Sequence, residues 1–267
     1  MHIIVLIKQV PELKNVKLDK ETGTVIREGV ESVVNPLDLY AVEAALAMKE
    51  QNNCRITAVS MGPLKADRAI REVISMGVDD GILLTDKKFA GSDTWATSYI
   101  IGNAINKLGR FDLILAGERA IDGDTSQVGP EVAAFLDIPA ATYVNNIEKF
   151  SQHGKHCKIT RATESGIETL NVTLPALLTV VKEISIPRLP TYRGKKYAKK
   201  IDIPVWSIKD LNLNENLIGL KGSPTRVFKT YKSVVSRNCR KLFANNESNI
   251  EEAGEEFLRF LKSKNVI

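Results

Sequence analysis

Four times in the first half of this chain an apolar run of strand length gives way to a helical pattern. The runs are residues 3–7, 56–60, 82–84 and 113–116. Helical patterns follow from Asn35 to Leu46, up to Met76, between Asp93 and Gly109, and over 130–136. Unbroken apolar runs indicate strands covered on both faces, and strand–helix alternation indicates crossovers between parallel strands. The expected fold is therefore α/β, with a mostly parallel, doubly wound sheet. Ligands of such sheets bind at the carboxyl ends of the strands. That rule singles out the loops at 8–11, 61–63, 85–93 and 117–129.

The last of these, with its flanking strand and helix, reads DLILAGERAIDGDTSQVGPEVAAFL. A strand that feeds a helix through a polar loop brings unpaired backbone N–H groups to one point, which suits an anion or a nucleotide phosphate. Asp122 and Asp124 would repel a phosphate, so they are expected to brace the turn or to accept from ribose hydroxyls. Thr125 and Ser126 can cap the helix or donate to a phosphate. Gly123 and Gly129 allow a ligand close to the backbone near Gln127 and Val128. At the start of the first helix, Asn35 suits the N-cap, Pro36 the first helical position and Asp38 the helix dipole. Lys8, at a strand exit, is either solvated or turned toward a ligand. Met61 fits core packing as well as ligand contact.

After Ala140 the pattern changes to short strands at 140–144, 147–150, 158–161 and 169–174, with a turn at 152–154. An apolar stretch follows at 176–181. His153, His156 and Cys157 have no partner cluster and are not read as a metal site. The segment PRLPTYRGKKYAKK, 187–200, holds six basic residues and no acidic one. It is read either as a solvated charge run or as a docking loop. In the docking reading Leu189 or Tyr192 is the apolar anchor, and the bases, among them Arg193, Lys195 and Lys196, steer an acidic partner. The chain closes in an amphipathic helix at 250–262 with Ala253, Phe257, Leu258 and Leu261 apolar.

Composition narrows the classes. The net charge is +5, from 37 basic and 32 acidic residues, and the bases are mostly dispersed, so no nucleic-acid partner is expected. No apolar run approaches the roughly 20 residues that span a bilayer. MHIIVLIKQV is too short for a signal sequence and reads as a strand, and a cytoplasmic location is expected. Cys54, Cys157 and Cys239 are too few and too scattered for a disulfide framework. Walker A and G-x-G-x-x-G loops and a Ser-His-Asp pattern are missing, so no catalytic side chain is assigned.

KQVP, NPLDLYAVEAAL, SMGP, AGERAIDGDTSQVGPEVAAFLDIP and the late PR…AKK resemble, in that order, the β subunit of electron-transfer flavoproteins. The resemblance runs over about residues 1–230. It implies a Rossmann-like, adenine-nucleotide-binding fold with an added antiparallel β region and an extended C-terminal arm. The implied divisions are a nucleotide- or FAD-binding domain at 1–186, a basic docking loop at 187–201, and an arm at 202–267 that packs on an α subunit. In one branch of the family the β pocket holds AMP. Gly123 and Thr125 match the branch in which it holds FAD, takes hydride from NADH and splits the electron pair. One electron then goes to ferredoxin or flavodoxin, the other through the α-subunit FAD to a flavin dehydrogenase.

Carried over by position, Leu6, Asn35, Asp38 and Met61 line the adenosine end. Asp122, Gly123, Asp124, Thr125, Gln127, Val128 and Gly129 hold ribose and pyrophosphate. Arg119 departs from the family pattern, because Glu118-Arg119 replaces the common Lys-Gln; it either faces solvent or stabilises a phosphate or an anionic flavin. Tyr192 stands at the family's leucine anchor for acyl-CoA dehydrogenases, so the partner is of that type or acts on 2-hydroxy acids.

Overall fold

The computed structural model describes residues 1–12, 17–18, 25–26, 32–151, 155–228, 241–243 and 247–267. Their contacts form two compact units, Met1–Lys229 and Thr230–Ile267.

The first unit is built on one nine-stranded sheet. Within it lies β1 (His2–Leu6), flanked in parallel by β6 (Arg55–Met61) and β8 (Leu113–Gly117). Beyond β6 lie β7 (Asp80–Leu84) and a short edge strand, β13 (Val205–Trp206). On the other side β12 (Ala176–Val180) pairs in parallel with β8 and with β9 (Ala140–Phe150). The sheet ends in antiparallel β10 (His156–Thr163) and β11 (Gly166–Thr173). The antiparallel region thus continues the main sheet instead of forming a separate layer. The two strands expected at 140–144 and 147–150 are one strand, bent by register shifts.

Helices cover both faces. α1 (Pro36–Gln51) and α2 (Asp67–Met76) pack on one side, α3 (Thr94–Leu108) and α4 (Val128–Phe135) on the other. Strand β1 shows why its sequence does not alternate. Ile3 and Val5 join the α1/α2 core, Ile4 and Leu6 the α3/α4 core, and all four are buried. Each such side chain contributes about 1.5–3 kcal/mol of transfer free energy.

Between β1 and α1 the chain makes short antiparallel pairs. β2 (Gln9–Pro11) pairs with β5 (Ser32–Val34), and β3 (Lys17–Leu18) with β4 (Val25–Ile26). The hairpin expected at 15–34 therefore has its pairing; its turn at 22–23, like the turn at 152–154, lies outside the described residues.

α5 (Tyr192–Ala198) falls within the basic segment, with Thr191 as its N-cap accepting from the Gly194 N–H. α6 (Ile208–Leu211) and α7 (Gly219–Gly222) follow. In the second unit α8 (Glu247–Ser263) starts three residues earlier than its apolar pattern indicates. Ile250, Phe257, Leu258 and Phe260 on it are exposed. No helix among the described residues is long and apolar enough to cross a membrane.

Candidate functional site

A cleft of about 380 Å³ opens at the carboxyl ends of β1, β6 and β8, where the sheet's connections diverge to its two sides. Its apolar wall includes Leu6, Val59, Met61, Ile101 and Ala116. The polar wall runs from Gly117 through Ala120, then Gly123 to Gly129, and is completed by Ser92, Asp93, Thr94 and Thr97 at the start of α3.

Ten of the twelve residues carried over for the cofactor line this cleft: Leu6, Asp38, Met61, Arg119, Gly123, Asp124, Thr125, Gln127, Val128 and Gly129. Asn35 and Asp122 are absent from the lining and act behind it. Asn35 is fully buried, and its side chain makes no capping bond. It donates to Asp38 Oδ1 at 2.8 Å and to the Arg119 carbonyl at 2.9 Å, and accepts from the Ile121 N–H at 3.2 Å. The capping expected of it is thus replaced by a tie between α1 and the polar loop. Asp122 accepts from Lys8 Nζ at 2.7 Å, pinning the loop to the exit of β1.

Asp38 stands in the first turn of α1, as expected, but as a buried group. Its carboxylate is buried and accepts from the Lys8 backbone N–H at 2.8 Å, from Asn35 and from the Gly117 N–H. Burial outweighs these bonds and raises its pKa to about 7. Gly117 makes the arrangement possible, because a Cβ there would lie 2.5 Å from Asp38 Oδ1 and 2.7 Å from the Leu37 carbonyl carbon.

The polar loop also differs from expectation in how it meets α4. Neither Thr125 nor Ser126 caps the helix; the N-cap is Gln127, with no side-chain capping bond. The first N–H groups of the helix therefore have neither a side-chain cap nor an intrahelical acceptor. The left-handed turns fall at Asp124 (φ 53°) and Ser126 (φ 57°), and Gly123 is not among the residues with positive φ. Asp and Ser hold that conformation at a cost, where glycine would hold it freely. Gly129 serves packing instead: a Cβ on it would lie 2.5 Å from Thr179 Cγ2 of β12. Arg119 Nε reaches Asp124 Oδ1 at 2.8 Å, so Asp124 does brace the turn.

On the α3 side of the cleft the sequence singles out the carboxyl-end loop 85–93, with Asp93 at the start of the helical pattern, and no individual ligand contact. Asp93 does cap α3, accepting from the Ala96 N–H at 3.0 Å. Its other oxygen accepts from the Thr225 N–H and Oγ1, at 2.9 and 2.8 Å, and its own N–H donates to Ser223 Oγ. Burial raises the Asp93 carboxyl, but these hydrogen bonds outweigh it and hold the group below its ordinary value. The segment after α7 thus straps down this wall of the cleft.

The basic segment lies apart from the cleft lining. Leu189 and Tyr192 are 85% and 84% exposed, and Arg193, Lys195 and Lys196 are also exposed. Arg188 is not a free charge: its guanidinium bonds both oxygens of Glu43 on α1 and one of Glu50. Hydrogen bonds to Glu43 hold its pKa above the ordinary arginine value. Among the described residues no group of three His, Cys, Asp or Glu side chains is arranged for a metal.

Fold and cleft define an α/β protein with a ligand-sized site at a topological switch point, walled by apolar strand ends and a polar, helix-initiating loop. The electron transfer flavoprotein domain profile matches residues 22–211. The chain belongs to the electron transfer flavoprotein family. It is 43% identical over 269 residues to the electron transfer flavoprotein subunit beta of Thermoanaerobacterium thermosaccharolyticum, covering all of both chains. It is 40% identical over 268 residues, again covering all of both chains, to subunit CarD of the caffeyl-CoA reductase–Etf complex of Acetobacterium woodii. Acryloyl-CoA reductase electron transfer subunit gamma of Anaerotignum propionicum is 41% identical over 238 residues, 86% of this chain and 88% of that one.

Proposed function

We propose that this chain is the β subunit of a cytoplasmic, heterodimeric electron transfer flavoprotein that holds FAD in its cleft. In this reading the chain accepts electrons from NADH and passes them to ferredoxin or flavodoxin and, through the α-subunit FAD, to a flavin dehydrogenase. Such division of an electron pair is flavin-based bifurcation. The flavin, when bound, supplies both hydride acceptance and one-electron release, so no acid–base side chain of the protein is required.

The observation that carries the reading is the Gly123–Gly129 stretch lining the cleft, which runs into the uncapped start of α4. Its donor set fits an adenine dinucleotide. Leu6, Val59 and Met61 exclude water from a flat apolar group. Backbone N–H groups at the start of α4, with the Thr125 and Ser126 hydroxyls, suit a phosphate chain. On the facing wall Thr97 offers a hydroxyl, while the Thr94 hydroxyl donates to Glu131 at 3.1 Å.

The exposed Leu189 and Tyr192 are the apolar anchors for a dehydrogenase of the acyl-CoA or 2-hydroxy-acid type, with Arg193, Lys195 and Lys196 steering an acidic surface. The exposed apolar residues of α8 are the contact for the α subunit. The competing reading keeps the same cleft and fills it with structural AMP. Cofactor content of the purified heterodimer decides between them. Two FAD and no AMP are expected; one FAD with one AMP would overturn the FAD reading.

A further inference from the structure

Two cations face the cleft, and each is engaged by an aspartate of the same loop: Lys8 by Asp122 at 2.7 Å, and Arg119 by Asp124 at 2.8 Å. At Arg119 the backbone and the side-chain head are held very differently. Its carbonyl accepts from the fully buried Asn35, which fixes the backbone. Among the described residues its guanidinium, 42% exposed, meets the 71% exposed Asp124 and, at 3.7 Å, Glu118. An exposed pair of this kind contributes little and yields readily to a better anion. Asp124 itself stands in a left-handed backbone conformation, with its N–H donated to the Ala120 carbonyl at 2.8 Å.

The cleft also needs the charge. Asp93, Glu118 and Asp124 line it beside Asp38, whose buried carboxyl stays protonated up to about pH 7, and among the described residues its basic lining is Lys8 and Arg119. A phosphate entering beside four carboxyls depends on backbone N–H groups and on these two cations. A guanidinium carries five N–H donors; one phosphate takes two of them in a bidentate pair, and the more highly charged chain of two phosphates can engage the others as well.

We propose that Arg119 is a specificity-determining residue: it exchanges Asp124 for the phosphate chain of the ligand and so selects adenine diphosphates, free or within a dinucleotide, over AMP and adenosine. This rests on the nucleotide reading of the cleft given above and goes beyond it by assigning the discrimination to one side chain.

The test is equilibrium dialysis of ADP, AMP and adenosine against the full-length chain, with Arg119→Gln and Asp124→Asn variants. Arg119→Gln is expected to weaken ADP about tenfold and AMP less, to leave adenosine unchanged, and to flatten the salt dependence of ADP binding. Asp124→Asn removes the competing carboxylate with a residue that tolerates left-handed backbone, and is expected to tighten ADP. ADP bound equally by wild type and Arg119→Gln, or ADP and adenosine weakened together, would overturn the proposal while leaving the nucleotide reading standing. A wild-type chain that binds none of the three would overturn both.

Discussion

Replacement of Asp38 by asparagine tests the electrostatics of the cleft floor. The aspartate is buried, and although it accepts hydrogen bonds from Lys8, Asn35 and Gly117, burial lifts its pKa from 3.8 to about 7. The folded protein therefore binds a proton at this site over a pH range in which the unfolded chain does not. Stability from this group is fully present below about pH 4 and is lost as pH rises through 7. With these two pKa values, linkage gives a loss of about 2.5 kcal/mol between pH 5 and pH 8. Asparagine does not titrate, so its variant lacks this component. Urea unfolding at pH 5, 6, 7 and 8 without added nucleotide measures the difference. The wild type should lose stability relative to Asp38→Asn by about that amount, most steeply between pH 5 and 7. Parallel profiles for the two proteins would refute the argument, because they would mean that the carboxyl titrates alike in folded and unfolded chains.

Two further perturbations follow from packing and pairing. Gly129→Ala should destabilise the protein by about 1–3 kcal/mol, because the new Cβ meets Thr179 Cγ2 at 2.5 Å. Adding Thr179→Ser, which deletes that methyl group, should recover most of the loss in thermal melts; no recovery would place the strain elsewhere. Glu43→Gln should cost about 2 kcal/mol, since it weakens the multiple hydrogen bonds that tie Arg188 to α1. Hydrogen exchange should rise around residues 185–191 in that variant and stay unchanged at β1, and an unchanged loop would refute the anchoring role.

Much of the scaffold was legible because each of its signals is local. The apolar runs located β1, β6, β7 and β8, and Asp93 and Gly109 marked helix ends through backbone and capping chemistry that neighbouring residues decide. The continuation of the sheet through β12 into β9 was not legible. Parallel pairing between strands far apart in sequence leaves no periodic trace.

The polar loop between β8 and α4 divides in the same way. Its place at a strand's carboxyl end, its glycines and its run of small polar residues are properties of the sequence, and with them its candidacy for a ligand. Which of its residues face the cleft depended on partners many residues away. Asn35 reaches Arg119 and Ile121 from α1, Lys8 draws Asp122 aside, and Thr179 claims the space beside Gly129. Arg119 shows the division most clearly: the sequence marks it as unusual, and only its pairing with Asp124 shows a charge held loosely at the edge of the site. Local propensity determines where an element begins and what it can offer, whereas long-range packing determines which of those groups remain free for a ligand.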